Sequence, residues 1–148
     1  MKNTIAILML FFVTMVNAQV YNPVKWSTSV VKISDSEYEL TANAVIEKGW
    51  HLYSQTVPPD GPIATQLSFT GSPDYLKKGN TKEDQGHVVN DPIYDMKITY
   101  FEKKASFKQR IKVKHKKPFQ IKGNVEFMAC DDTKCLPPKQ IELIFKIK

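Results

Sequence analysis

Only two cysteines, Cys130 and Cys135, and one arginine, Arg110, occur in the 148 residues. No stretch repeats its apolar residues at the helical spacing. Each scarcity excludes something. With one arginine, the formal charge of +6 rests almost wholly on lysine. Nucleic-acid readers lean on arginine for bidentate contacts, so no nucleic-acid partner is expected. The lysines read as a solvated surface with weak steering of acidic partners. Two cysteines permit one intramolecular bridge and leave no third thiol. His51, His87 and His115 stand at no recognised zinc spacing, so neither a metal nor a cofactor is expected. No internal repeat and no low-complexity segment is present.

One long apolar run is there, and it lies at the start. Lys2 supplies a positive charge, residues 5–16 are apolar apart from Thr14, and Val16-Asn17-Ala18 precedes a possible cut before Gln19. This is the layout of a secretory signal peptide, and the run is shorter than the roughly 20 residues a membrane span requires. No cysteine near the cut offers a lipid-anchoring site. The expectation is therefore a signal peptide over residues 1–18 and one domain over residues 19–148, with no membrane span after cleavage. An exported monomer follows, in the periplasm or secreted. In either compartment a cysteine pair persists as a disulfide.

The remainder reads as strand. Apolar and polar residues alternate with period two over residues 38–46, 105–114, 119–127 and 140–147, with Leu40, Phe107, Val125 and Phe145 on the inward faces. Shorter candidates are residues 26–33, 50–55, 63–70 and 98–101. Turn signals such as Pro58-Pro59-Asp60-Gly61-Pro62, Asn90-Asp91-Pro92 and Lys116-Lys117-Pro118 separate them. Some eight strands with this punctuation predict an all-β, immunoglobulin-like antiparallel β-sandwich. Residues 77–94 are polar and unpatterned, which predicts a long loop carrying at most one strand.

Between Cys130 and Cys135 lie Asp131, Asp132, Thr133 and Lys134, a set rich in turn formers. A strand runs into Cys130 and another begins near Lys139, so a four-residue hairpin loop would oppose the two cysteines at bridging distance. Two uses remain open on these residues alone. A staple would lock a secreted binding module, yet a bridge this local removes only about 2 kcal/mol of chain entropy from the unfolded state. A disulfide at a loop tip would instead be open to exchange with a partner's thiolate. Pro137-Pro138 ends ladder pairing beside Cys135. Lys134 favours a thiolate whereas Asp131 and Asp132 oppose it, a balance that suits a reductant or relay.

The stretch Cys130-Asp131-Asp132-Thr133-Lys134-Cys135-Leu136-Pro137-Pro138 resembles the N-terminal periplasmic domain of the thiol:disulfide interchange protein DsbD. Gly49-Trp50-His51-Leu52-Tyr53-Ser54-Gln55 supports the likeness independently. The resemblance implies a redox dithiol at Cys130 and Cys135 that takes electrons from a thioredoxin-like donor and reduces exported disulfide-containing proteins, cytochrome c biogenesis among the processes served. It leaves open which of the two cysteines meets the partner. It also implies a cap loop over the pair, matched by Asp91-Pro92-Ile93-Tyr94-Asp95. Tyr94 is then the shielding aromatic, where the family more often carries phenylalanine, with Asp91 and Ile93 beside it. His51 and Tyr53 match positions on the strand next to the thiols, although a strand setting alone makes Tyr53 a core aromatic. The family's full-length proteins continue into a membrane part and a thioredoxin-like domain. Here the donor is expected on a separate chain.

Overall fold

The computed structural model describes residues 21–148, so the expected signal peptide lies outside the described residues. Eleven strands follow one another without a helix among them: β1 (Val24–Lys32), β2 (Glu37–Ile46), β3 (His51–Tyr53), β4 (Gln66–Phe69), β5 (Tyr75–Glu83), β6 (His87–Asp91), β7 (Met96–Phe101), β8 (Lys104–Val113), β9 (Phe119–Phe127), β10 (Ala129–Cys130) and β11 (Lys139–Ile147). Every named pairing is antiparallel, in sheets ordered β1-β2-β8-β5, β10-β3-β7-β6 and β11-β9-β4. No helix among the described residues is long and apolar enough to cross a membrane.

The period-two pattern places the core. Leu40, Ala42 and Ala44 of β2 and Phe107 and Ile111 of β8 point inward from the first sheet. They pack with Ile121, Val125 and Phe127 of β9 and Phe145 of β11. Trp26 of β1 lies against the rings of Phe107 and Phe127, with centroids 5.7 and 5.4 Å away. At the open side, the Thr28 hydroxyl donates to the Ile144 carbonyl at 2.7 Å, which joins β1 to β11.

Two expectations need correction. Residues 77–94 are not a long loop. They hold most of β5 and all of β6, separated by a short connection. Both strands lie at sheet edges, where side chains on both faces meet water, so the apolar alternation that marks a half-buried strand does not develop. A bulge between Lys78 and Lys82 further breaks the period of β5, with Gly79 at a φ of 66°. Gln109, buried in the apolar row of β8, fastens that bulge: its amide nitrogen donates to the Lys78 and Gly79 carbonyls at 3.1 and 3.3 Å, and its oxygen accepts from Thr81 at 2.9 Å.

The strand entering Cys130 is also not continuous. β9 pairs with β11 as far as Phe127, but β10 pairs with β3 in a different sheet. The chain changes sheets at Met128. The cysteine loop is therefore an excursion inserted into the β9–β11 hairpin.

Phe107→Ala is expected to cost about 3–5 kcal/mol, because a fully buried aromatic between Trp26 and Phe101 leaves a cavity. Urea unfolding checks this: the midpoint falls while the slope stays constant.

Candidate redox site

Leaving β9 brings the cysteines beside β3. In the β10–β3 register Cys130 is the partner of His51 and Ala129 the partner of Leu52. Cys130 also forms an isolated antiparallel bridge with Cys135, and the two are disulfide-bonded with Cα atoms 4.0 Å apart. The loop between them is tightly wound. Asp131 N–H donates to the Lys134 carbonyl at 2.9 Å, and Leu136 N–H donates to the Ala129 carbonyl at 2.9 Å. The Asp131 carboxylate accepts from Thr133 N–H, the Thr133 hydroxyl and Lys134 N–H at 2.8, 2.7 and 2.9 Å. These bonds, the Thr133 hydroxyl first, hold the Asp131 carboxyl below the usual carboxylate range. The turn formers in this loop thus close it locally. Cys130 is fully buried whereas Cys135 is half-buried, so the two sulfurs are not equivalent.

A second, small apolar cluster covers the pair. Tyr53, Ile98 and Cys130 form its centre, with Val57, Tyr94, Met96, Tyr100, Met128 and Cys135 packed around them. Tyr94 reaches it from the turn between β6 and β7. Its ring stands edge-on to Tyr53 at 6.2 Å, and its hydroxyl meets the Met128 sulfur at 3.5 Å. Ile93, its neighbour in the turn, is 38% exposed and lies outside the cluster.

Asp91 holds this turn in place. It is fully buried, and its Oδ1 accepts the backbone N–H groups of Ile93 and Tyr94 at 2.9 and 3.1 Å. Its carbonyl accepts Asp95 N–H at 2.9 Å, with Asp95 in the left-handed region at a φ of 50°, which a short polar residue tolerates. Asp91 Oδ2 accepts the Tyr53 hydroxyl at 2.8 Å, and that hydroxyl lies 3.2 Å from His51 Nε2. One carboxylate therefore ties the cap turn to the strand beside the cysteines. His51 stacks on Tyr100 at 4.4 Å with an interplanar angle of 19°. Burial pushes the Tyr53 hydroxyl far above its usual range, with the bond to Asp91 adding to the shift. Burial lowers the His51 imidazole, and Asp91 opposes that shift in part.

All the residues singled out from the sequence, Cys130, Cys135, His51, Tyr53, Asp91, Ile93 and Tyr94, fall in this region, with only Ile93 turned away from the pair. Sequence reasoning missed Tyr100, which stacks on His51, and Met128, which meets the cap hydroxyl. Tyr100 looked like an ordinary strand aromatic. Met128 carried no signal, because a change of sheet leaves no mark in an alternating pattern. Among the described residues no cluster of three or more histidine, cysteine or acidic side chains is placed to hold a metal.

Two outcomes follow. Tyr94→Ala is expected to speed reduction of the disulfide by a small thiol severalfold, and Asp91→Ala to do the same while costing about 2 kcal/mol of stability. An unchanged rate in Tyr94→Ala would remove the shielding role. For pH, the imidazole is harder to protonate folded than unfolded, so the unfolded chain takes up the proton first as pH falls. The His51 contribution is full above about pH 6.5 and is lost progressively below it. Denaturation curves of the protein and His51→Gln between about pH 7 and pH 5 should diverge in that sense, the variant being the flatter.

A family profile described as the N-terminal part of the thiol:disulfide interchange protein DsbD matches residues 22–145. The N-terminal periplasmic domain of ScsB from Proteus mirabilis superposes with a TM-score of 0.62 at 13% identity, covering 84% of this chain and 46% of that one. The N-terminal domain of DsbD from Neisseria meningitidis, in its reduced form, superposes with a TM-score of 0.52 at 13% identity, covering 79% of this chain and 82% of that one. At such identity these likenesses speak for the immunoglobulin-like fold alone, and the chain spans less than half of the ScsB structure. No curated protein matches it. With the profile running through all eleven strands and both cysteines, the chain belongs to the family of DsbD N-terminal domains.

Proposed function

We propose that the protein is an exported thiol–disulfide exchange domain that passes reducing equivalents through Cys130 and Cys135 to periplasmic proteins. The family supports thiol–disulfide interchange in general. The observation that carries the reading is the placement of the disulfide at a loop tip, with Cys135 half-buried in the small cluster that also takes in Tyr94 from the turn pinned by Asp91. A staple serving only stability has no use for such a cover.

The difference in burial supports a division of roles between the two sulfurs. Cys135 meets the partner, and Cys130, closed off on every side, resolves the mixed disulfide. In the reducing direction the Cys135 thiolate attacks a substrate disulfide, and one substrate sulfur leaves as thiolate. Cys130 then attacks Cys135 Sγ, releasing the second substrate sulfur and restoring the Cys130–Cys135 bond. A thioredoxin-like donor reverses these steps to recharge the pair. Tyr94 withdraws when a partner docks and covers the pair again afterwards. The chemistry needs no cofactor, and the domain acts as a monomer. The electron route and the use of the electrons in cytochrome c biogenesis belong to the same proposal.

A redox titration of the domain over residues 19–148 against glutathione and thioredoxin buffers tests the function. The expected midpoint lies above about −300 mV, and one well below that range, where structural disulfides sit, would sink the relay. Cys130→Ser should accumulate mixed disulfides through Cys135, whereas Cys135→Ser should trap little; the opposite result would exchange the two roles.

A further inference from the structure

Along an antiparallel strand the backbone groups alternate. A residue that turns its N–H and C=O to one neighbour is flanked by residues that turn theirs to the other side. In the cysteine loop this alternation fixes which way each group faces. Asp131 N–H donates to the Lys134 carbonyl, and Leu136 N–H donates to the Ala129 carbonyl. Cys130 and Cys135, bridged between these two bonded pairs, are therefore the pair that exchanges no backbone bond. Cys130 turns its own groups to β3, where its partner is His51. Cys135 must then turn its N–H and C=O away from β10. Because β10 is an end strand of its sheet, no named strand stands beyond Cys135 on that side.

The backbone donors around Cys135 are already engaged. The N–H groups of Thr133 and Lys134 donate to the Asp131 carboxylate, and that of Leu136 to Ala129. Pro137 and Pro138 have no N–H to give. The Cys135 N–H and C=O have no backbone partner among the described residues. One complete donor–acceptor pair is thus left open, on the half-buried cysteine of the disulfide.

We propose that this open pair is a docking edge. An extended segment of the protein being reduced lies antiparallel against Cys135, held by main-chain hydrogen bonds to its N–H and C=O. The inference rests on the exchange function above, with Cys135 as the cysteine that meets the partner.

The chemistry of exchange calls for a partner on that same side. A thiolate displaces one sulfur of a disulfide from the back of the other, so the three sulfurs stand in line. When Cys130 resolves the mixed disulfide, the partner sulfur must lie beyond Cys135 Sγ as seen from Cys130. Cys130 is on the β3 side and Cys135 opposes it across the bridge, with the Cα atoms 4.0 Å apart. The far side is therefore the outer edge. A strand docked there runs about 4.8 Å from the Cys135 backbone, a separation that a pair of cysteine side chains can span. β6, the other end strand of this sheet, is separated from β10 by β3 and β7 and cannot serve a sulfur at Cys135.

The proline that follows keeps the edge short. Thr133 and Pro137 share the outward side with Cys135, since facing alternates along the chain. Thr133 has committed its N–H to Asp131, and Pro137 offers only a carbonyl. An edge one residue wide is too short to template pairing between idle copies of the domain. Main-chain bonds read no side chain, so substrates of unrelated sequence qualify. What they must offer is a cysteine in extended chain whose own N–H and C=O groups are unpaired, which a helix or a fully paired strand does not provide. Docking forms no covalent bond and adds no reactant to the exchange cycle.

Short strand-forming peptides with one central cysteine, held as the mixed disulfide with an aromatic thiol that is coloured on release, test the edge. Stopped flow follows the colour after mixing with the reduced domain over residues 19–148. Each peptide of the set is N-methylated at a different backbone nitrogen, which removes one donor at a time. Alternation is expected. The rate falls about 10-fold where the methyl replaces an N–H turned towards Cys135, and holds at the nitrogens on either side. Equal rates across the set, or a fall at every position, would overturn the docking edge while leaving exchange in place. No release from any peptide, nor from free cysteine carrying the same aromatic group, would count against exchange itself and take the edge with it. Amide hydrogen exchange gives an independent readout. In Cys130→Ser joined through Cys135 to the unmethylated peptide, the Cys135 N–H should exchange at least tenfold more slowly than in the same variant joined to 2-mercaptoethanol. Equal exchange in the two adducts overturns the proposal.

Discussion

The change of sheet at Met128 is the constraint on which the site depends. Up to Phe127 the chain is an ordinary member of the β11-β9-β4 sheet, paired residue for residue with β11. Two residues later it is hydrogen-bonded to β3 in the neighbouring sheet. That step carries Cys130 out of the main core and sets it opposite His51. It also turns a hairpin connection into a projecting loop that displays Cys135. Had β9 continued straight, the cysteines would have capped a plain hairpin far from His51, Tyr53 and Asp91.

The site is then held by polar bonds within an apolar setting. Asp91 is the hinge of this arrangement, since its two carboxylate oxygens serve different masters. One accepts two backbone N–H groups of the cap turn, and the other accepts the Tyr53 hydroxyl. A buried carboxylate without such donors would be costly, and with them it fixes the position of everything it touches. The surrounding apolar cluster is small. It contains three fully buried residues at its centre and a rim of partly exposed ones, in contrast with the large core between the other sheets. A cover built from so small a cluster, with Tyr94 held in a turn, is easier to displace than a strand of the main core, which suits the proposed exchange.

Edge strands explain why the fold was only partly legible. The inward rows of β2, β8, β9 and β11 stand out because one face is buried and the other wet, and their pattern survives intact in the structure. β5 and β6 lack that contrast. Lys77 and Lys78 lie in an exposed run of β5, and Val88 of β6 is 68% exposed, so neither strand alternates. Gln109 breaks the apolar row of β8 for a different reason, its amide being needed at the bulge of β5. In each case the deviation arises from a neighbour distant in sequence.

The sequence by itself determined that this is a β-sandwich with one cysteine pair at a turn-rich loop, because burial on one face of a strand forces a period of two and Asp131 to Lys134 cannot continue a ladder. It also carried the family, through the motif around the cysteines and the Gly49-Trp50-His51-Leu52-Tyr53 segment. Tertiary structure alone decided the rest. Which cysteine is buried, which residue faces it and what anchors the cap all depend on pairing between strands far apart in the chain. Local pattern contains no term for such pairing. The inequality of Cys130 and Cys135, and the meeting of Cys130 with His51 and of Tyr53 with Tyr100 across β3, therefore became visible only when β3, β7 and β10 were seen side by side.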